Sequence, residues 1–293
     1  MTIGAGRCRG HGWGATTSLP GGGVRPPATT NFLGRPIIAA ATAGAGNGAG
    51  PSGSDGVAAG DSARAAEIAA SLQRLRTRIA SACTAAGRSP TEVTLVAVTK
   101  TYPATDVAHL AALGVRDIGE NREQEAAPKV AEIAAAGIEV RWHHVGQLQR
   151  NKARAVAGYA YAVHSVDRVR LVDALGTARA ATAQPLEVFV QLSIDGDTTR
   201  GGAVAGDVPL IADAVAGQPS LRLAGLMAVA PLGMSPEAAF DVLAAESERM
   251  RTTYPDAKSL SAGMSNDLEP AIARGATHVR VGSALLGMRP KLG

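Results

Sequence analysis

The sequence predicts an α/β protein: a single closed (β/α)8 barrel of the TIM type, with an extra N-terminal helix, preceded by a disordered tail. Two observations predict it. Apolar runs recur near 93–99, 115–118, 138–144, 160–164, 186–193, 221–229, 258–261 and 278–281, with stretches rich in Ala, Leu, Arg and Glu between them. Alternating strand and helix implies a parallel sheet with helices outside, and eight units in about 230 residues match a closed barrel better than an open sheet.

Residues 1–60 stand apart by composition. They hold 16 of the 35 glycines and five of the 16 prolines, and Arg7, Arg9, Arg25 and Arg35 face a single acid, Asp55. Such a segment buries too little apolar surface to offset its ordering entropy and is expected to be disordered. It reads as a linker or a mispredicted start rather than a transit peptide, because Ser is sparse. Its glycine-rich run 44–50 follows no strand and opens no amphipathic helix, so it is no dinucleotide fingerprint.

The barrel is expected over 61–293. Ile68, Leu72, Leu75 and Ile79 form one apolar stripe on an opening helix, and Cys83 continues it as a packed thiol. Asp167 before a helix over 168–181, and Ser235-Pro236-Glu237 before one carrying Phe240, Leu243 and Met250, read as N-terminal helix signals.

Three of the four net positive charges fall in the tail, which leaves the folded part nearly neutral and without a nucleic-acid footprint. No run approaches the roughly 18 apolar residues of a membrane span. Cys8 and Cys83 form neither a disulfide framework nor a metal-ligand spacing. A cytoplasmic monomer without metal is the expectation.

In such barrels the loops after the strands build the site. The first strand ends at Lys100, in a chain with only five lysines against 24 arginines. A primary amine condenses with an aldehyde, which guanidinium cannot do. To attack at pH 7 an ordinary lysine must shed a proton at a cost of about 4.6 kcal/mol, so desolvation or a nearby cation is needed. By itself the residue reads equally as a solvent-reaching strand end. Other strand ends supply Asn121, His144, Ser165 and Met227. After the seventh strand, Ser265 and Asn266 open a helix over 267–274, and after the eighth come Arg280, Gly282 and Ser283. Hydroxyls, a glycine and unpaired helix N–H groups suit a phosphate. Ser265 as a plain cap and Gly282 as a plain turn are the alternatives. A phosphate cradle beside a lysine points to a phosphorylated aldehyde.

Val96-Ala97-Val98-Thr99-Lys100, Gly119-Glu120-Asn121-Arg122, the run 144–152 from His144 to Lys152, Ser261-Ala262-Gly263-Met264-Ser265-Asn266-Asp267 and Arg280-Val281-Gly282-Ser283 together resemble the YggS/PROSC family. These are small pyridoxal 5′-phosphate homeostasis proteins related to the barrel domain of alanine racemase. The resemblance implies an internal aldimine on Lys100. It implies phosphate contacts from Ser265, Gly282 and Ser283, Arg280 facing the pyridine nitrogen, and Asn121, His144, Ser165 and Met227 lining the pocket. His143 is expected on the opposite face of its strand. The family often carries a second lysine after the fifth strand, where this chain has Arg200, which cannot condense with an aldehyde.

The function implied is intracellular cofactor homeostasis without significant catalysis, with cofactor-dependent apoenzymes as partners. The alternative is an amino-acid racemase of the same barrel type. Related racemases use a tyrosine from a further C-terminal β-domain, and no such domain is expected because the sequence ends at Gly293, about ten residues past the last strand. A cofactor-free Schiff-base aldolase would also share Lys100 and the phosphate cradle.

Overall fold

Eight parallel strands close on themselves in sequence order. They are β1 (Thr94–Val98), β2 (Asp117–Glu120), β3 (Arg141–His144), β4 (Ala162–Val166), β5 (Leu186–Gln191), β6 (Leu221–Met227), β7 (Ser259–Ser261) and β8 (His278–Val281). Each falls inside or overlaps an apolar run of the sequence. The ring shuts where β8 pairs with β1, placing Val96 level with Arg280 and Ala97 level with Val281. This computed structural model describes residues 54–179 and 184–287, with side chains from Gly60 onward. The chain divides into two units, Met1–Pro51 and Ser52–Gly293. The expected tail thus lies outside the described residues except at its end, where helix begins at Ser54 rather than after residue 60.

The helices are α1 (Ser54–Ala85), α2 (Ala104–Ala112), α3 (Glu123–Ala135), α4 (Ala153–Tyr159), α5 (Val169–Arg179), α6 (Val208–Ala216), α7 (Pro236–Thr253), α8 (Leu268–Ala273) and α9 (Ser283–Leu286). The extra helix α1 lays its predicted stripe, Ile68, Leu72, Leu75, Ile79 and Cys83, into the core formed with Val107, Leu110, Ile272 and Leu285. Its polar face is tied down too. Arg64 bonds the Asp106 carboxylate and the Leu286 carbonyl, and Arg78 bonds Glu269 and, at 3.0 Å, the Ser265 carbonyl.

Ser235 caps α7 as expected, accepting from the Ala238 N–H at 3.2 Å with Pro236 at the first position. Asp167 does not cap α5. The first helical N–H bonds, from Leu171 and Val172, go to the Arg168 carbonyl, and the Asp167 carboxylate instead meets the Arg168 guanidinium and the Gly202 N–H. The expected end of that helix, 180–181, lies outside the described residues. The larger outer core packs Leu171, Leu175, Val188, Ile211, Leu226 and Phe240 between strands and helices. A separate small apolar group, Ala162, Phe189, Ala224 and Met227, packs together, and buried polar side chains such as His143, His164, Ser261 and Arg280 lie near it.

Candidate cofactor site

Strand ends and the loops after them surround a cavity of about 640 Å³ at the C-terminal mouth. Its walls include Lys100, Asn121, Ser265, Asn266, Arg280, Gly282 and Ser283, seven of the residues singled out from sequence. The other three, His144, Ser165 and Met227, are buried at 2% exposure or less and do not line it.

Lys100 is placed by a rigid strand end. Thr99 donates from its N–H to the Gly119 carbonyl at 2.9 Å and from its hydroxyl to Glu120 Oε1 at 2.6 Å. Lys129, buried on α3, reaches the Thr99 carbonyl at 2.8 Å and Glu120 Oε1 at 2.5 Å. Beyond Lys100 the chain turns through Thr101 at φ +70, a left-handed conformation that a β-branched residue adopts only under constraint. The constraint is visible in the Tyr102 N–H bond to the Thr99 carbonyl at 3.0 Å and in the Tyr102 hydroxyl, which donates to the Gly287 carbonyl at 2.8 Å.

The loops after β7 and β8 meet through hydroxyls. Ser283 Oγ lies 3.2 Å from Ser265 Oγ, and the Ala284 N–H points to the same Ser265 oxygen at 3.3 Å. At Gly282 a Cβ would stand 3.2 Å from the Val98 carbonyl oxygen, so a bare backbone is what lets this loop approach β1. The expected helix over 267–274 is shorter than the sequence suggested, with α8 confined to Leu268–Ala273, and Asp267 Oδ1 takes the Met264 N–H at 2.5 Å. A six-residue helix adds little dipole, so hydroxyls and backbone N–H groups are the main donors these two loops offer.

Arg280 forms the buried cationic wall. Its Nη1 donates to Ser261 Oγ at 2.6 Å and its Nη2 to the Ala228 carbonyl at 2.9 Å. Burial pushes its pKa down to about 10, against the pull of Asp267, so it remains a cation at neutral pH. Asn121 owes its place to Gly146: a Cβ there would stand 2.2 Å from the Asn121 carbonyl oxygen.

The two β3 histidines exchange the faces expected of them. Gly119 is level with both Val98 and His143, and Val98 and Val145 line the cavity, so alternation puts His143 inward and His144 outward. His143 is bonded to His164 and Asp117. His144 lies on the helix side, and burial lowers its pKa to about 4 despite an upward pull from Glu123. Ser165 sits where the β4 register shifts, between Val163 and Val166, with its hydroxyl unpartnered. Met227 belongs to the small apolar group with Phe189. Arg200 is paired with Asp195 and Asp197 inside its own loop.

Sequence reasoning missed Tyr102, Val145, Asp267 and the loop 229–234 among the lining residues. A strand-end position was the available signal for Val145. Among the described residues there is no cluster of three metal-binding side chains and no helix long and apolar enough to cross a membrane.

The alanine racemase N-terminal domain family matches residues 70–290. The pyridoxal phosphate homeostasis protein of Mycobacterium leprae is 46% identical over 240 residues, covering 76% of this chain and 93% of that protein. This chain belongs to the pyridoxal phosphate homeostasis protein family. The Escherichia coli K12 member is 39% identical over 227 residues, 76% of this chain and 97% of that one. Among solved structures, PipY of Synechococcus elongatus PCC7942 with PLP bound is 32% identical with a TM-score of 0.66, over 75% of this chain and 100% of PipY.

Proposed function

We propose that this chain binds pyridoxal 5′-phosphate in the barrel mouth and serves intracellular homeostasis of that cofactor, without significant turnover of its own. The observation that carries the reading is the meeting of Lys100, Arg280, Ser265 and Ser283 around one cavity, in a chain of this family. The residues fit the group: an amine for its aldehyde, paired hydroxyls and the bare Gly282 backbone for its phosphate, and a buried guanidinium for its ring nitrogen. Asn121 and Asn266 complete the polar wall.

When bound, the cofactor supplies an electron-withdrawing ring whose power depends on protonation of the ring nitrogen. Arg280 offers that nitrogen only donors, and a guanidinium does not pass its proton on, which leaves the ring a weak sink. Among the described lining residues the titratable side chains besides Lys100 and Arg280 are Tyr102 and Asp267. The Tyr102 hydroxyl is engaged with the Gly287 carbonyl and Asp267 with the Met264 N–H, so neither is set up as a second acid or base. This supports storage and delivery to cofactor-dependent apoenzymes over racemization.

The buried free thiol of Cys83 suits a cytoplasmic setting. The test is cellular. Loss of the protein should shift the balance of pyridoxal phosphate and amino acids, and the wild-type chain should restore it while Lys100→Ala does not. Restoration by both would refute the reading.

A further inference from the structure

A line of buried side chains joins Arg280 to the start of β2 through the barrel interior. Ser261 Oγ is 2.7 Å from His164 Nδ1, His164 Nε2 is 2.9 Å from His143 Nδ1, and His143 Nε2 is 2.9 Å from Asp117 Oδ1. With the 2.6 Å bond from Arg280 to Ser261, this makes four consecutive hydrogen bonds between residues no more than 6% exposed.

The two ends of the line constrain the direction of the bonds between them. A guanidinium only donates and a carboxylate only accepts, so Ser261 Oγ accepts from Arg280 and His143 Nε2 donates to Asp117; the arrangement that gives every link between them one donor and one acceptor has Ser261 send its own hydrogen to His164 Nδ1. His164 then carries its proton on Nε2 and donates to His143 Nδ1. His143 in turn carries its proton on Nε2 and donates to Asp117. In this arrangement every link has one donor and one acceptor. The far end agrees: Asp117 also accepts from Arg141 at 2.6 Å, and although burial raises its pKa, the bonds from His143 and Arg141 outweigh this and hold it an anion. Burial, reinforced by the charges of neighbouring groups, keeps the His164 pKa well below the usual imidazole value.

Apolar side chains could fill this space with no polar groups to satisfy, so a complete buried network calls for a use. Its terminus is the Arg280 guanidinium, one hand of which it holds while the Ala228 carbonyl holds the other. We propose that Ser261 and His164 are positioning residues for Arg280: they set the guanidinium against the ring nitrogen of the bound cofactor, and His143 and Asp117 fix the His164 tautomer from behind. This rests on the cofactor reading above, which assigns Arg280 a partner but gives these four residues no role.

The experiment compares two probes on the full chain, pyridoxal phosphate and its carbocyclic analogue with CH in place of the ring nitrogen. Ser261→Ala and His164→Phe are the variants; phenylalanine preserves the stack on Phe189, whose ring centroid lies 4.2 Å from that of His164. Each variant should weaken pyridoxal phosphate about tenfold, the scale of one hydrogen bond to a charged group, and change the analogue by less than about twofold. Equal losses for both probes, or no loss for either, overturn the positioning role. Nitrogen NMR of the ligand-free wild type reads the line independently. Nε2–H tautomers at both His143 and His164 are expected, and an Nδ1–H tautomer or an imidazolium at either refutes it. Should the wild type bind neither probe, the cofactor reading fails and the positioning of Arg280 for it fails too, while the tautomers still report whether the line exists.

Discussion

Ser283 Oγ donates to Ser265 Oγ at 3.2 Å, joining the loop after β8 to the loop after β7. The bond is long for two hydroxyls, and the Ala284 N–H bond to the same oxygen is long as well, at 3.3 Å. Both donors therefore give up little when a charged acceptor arrives. The loop is pre-set from behind by Arg78, which bonds the Ser265 carbonyl.

Ser265→Ala and Ser283→Ala should each weaken retention of pyridoxal phosphate by about 1–2 kcal/mol, as expected for a hydrogen bond to a charged group. Equilibrium dialysis against both forms of the aldehyde measures this. Equal retention of phosphorylated and unphosphorylated pyridoxal by the wild type would contradict the cradle.

Lys129→Met should destabilise the fold by about 3–5 kcal/mol, because it strands the buried Glu120 carboxylate without its partner. The Thr99 hydroxyl would still bond Glu120 Oε1, but Oε2 has no hydrogen-bond partner, so one neutral donor is left to a buried charge. Adding Glu120→Gln should recover a large part of the loss. Urea midpoints of the two variants check this, and a single-variant loss below about 1 kcal/mol would show that the pair does not anchor Thr99.

The positions of the strands were legible because parallel strands are buried on both faces and read as continuous apolar runs. Which face of a strand points inward was not. The sequence shows that His143 and His144 alternate, but only the pairing of Gly119 with Val98 and His143 assigns the inward side, and those partners are distant in the chain. The same holds for Arg78 and Ser265, 187 residues apart. Lys100, Arg280 and the serines were readable because rare or polar residues ended apolar runs. His144, Ser165 and Met227 met the same criterion yet fall outside the cavity wall, since a strand-end position says nothing about orientation.

Stability should fall on mild acidification. Burial lowers His144 and His278 to about 4 each; for His278 the nearby His143 adds to this and Asp117 opposes it. An unfolded chain takes up these protons near pH 6.5 and the folded chain only near 4, so stability is intact above about 6.5 and is lost as pH drops through that window. The full loss is roughly 3 kcal/mol per histidine. Urea midpoints from pH 7.5 to 5 should decline, and His144→Phe should flatten part of the slope. A wild-type midpoint unchanged across that range would contradict these burial effects.

L-Alanine and L-serine should show negligible racemization, because Arg280 leaves the ring a weak electron sink and neither Tyr102 nor Asp267 is set up as a second base. Solvent deuterium exchange at the α-carbon, followed beside optical rotation, measures this. Turnover near about 1–10³ s⁻¹ would restore the racemase reading.

The most direct test of the central claim is to load the full chain with pyridoxal phosphate, treat it with borohydride and locate the added mass by peptide mapping. The adduct should sit on Lys100 and vanish, together with the near-visible absorption band, in Lys100→Ala. Lys129, the lysine held by Glu120 and Thr99, should carry none. An adduct on any other lysine, or one that persists undiminished in Lys100→Ala, would contradict the account.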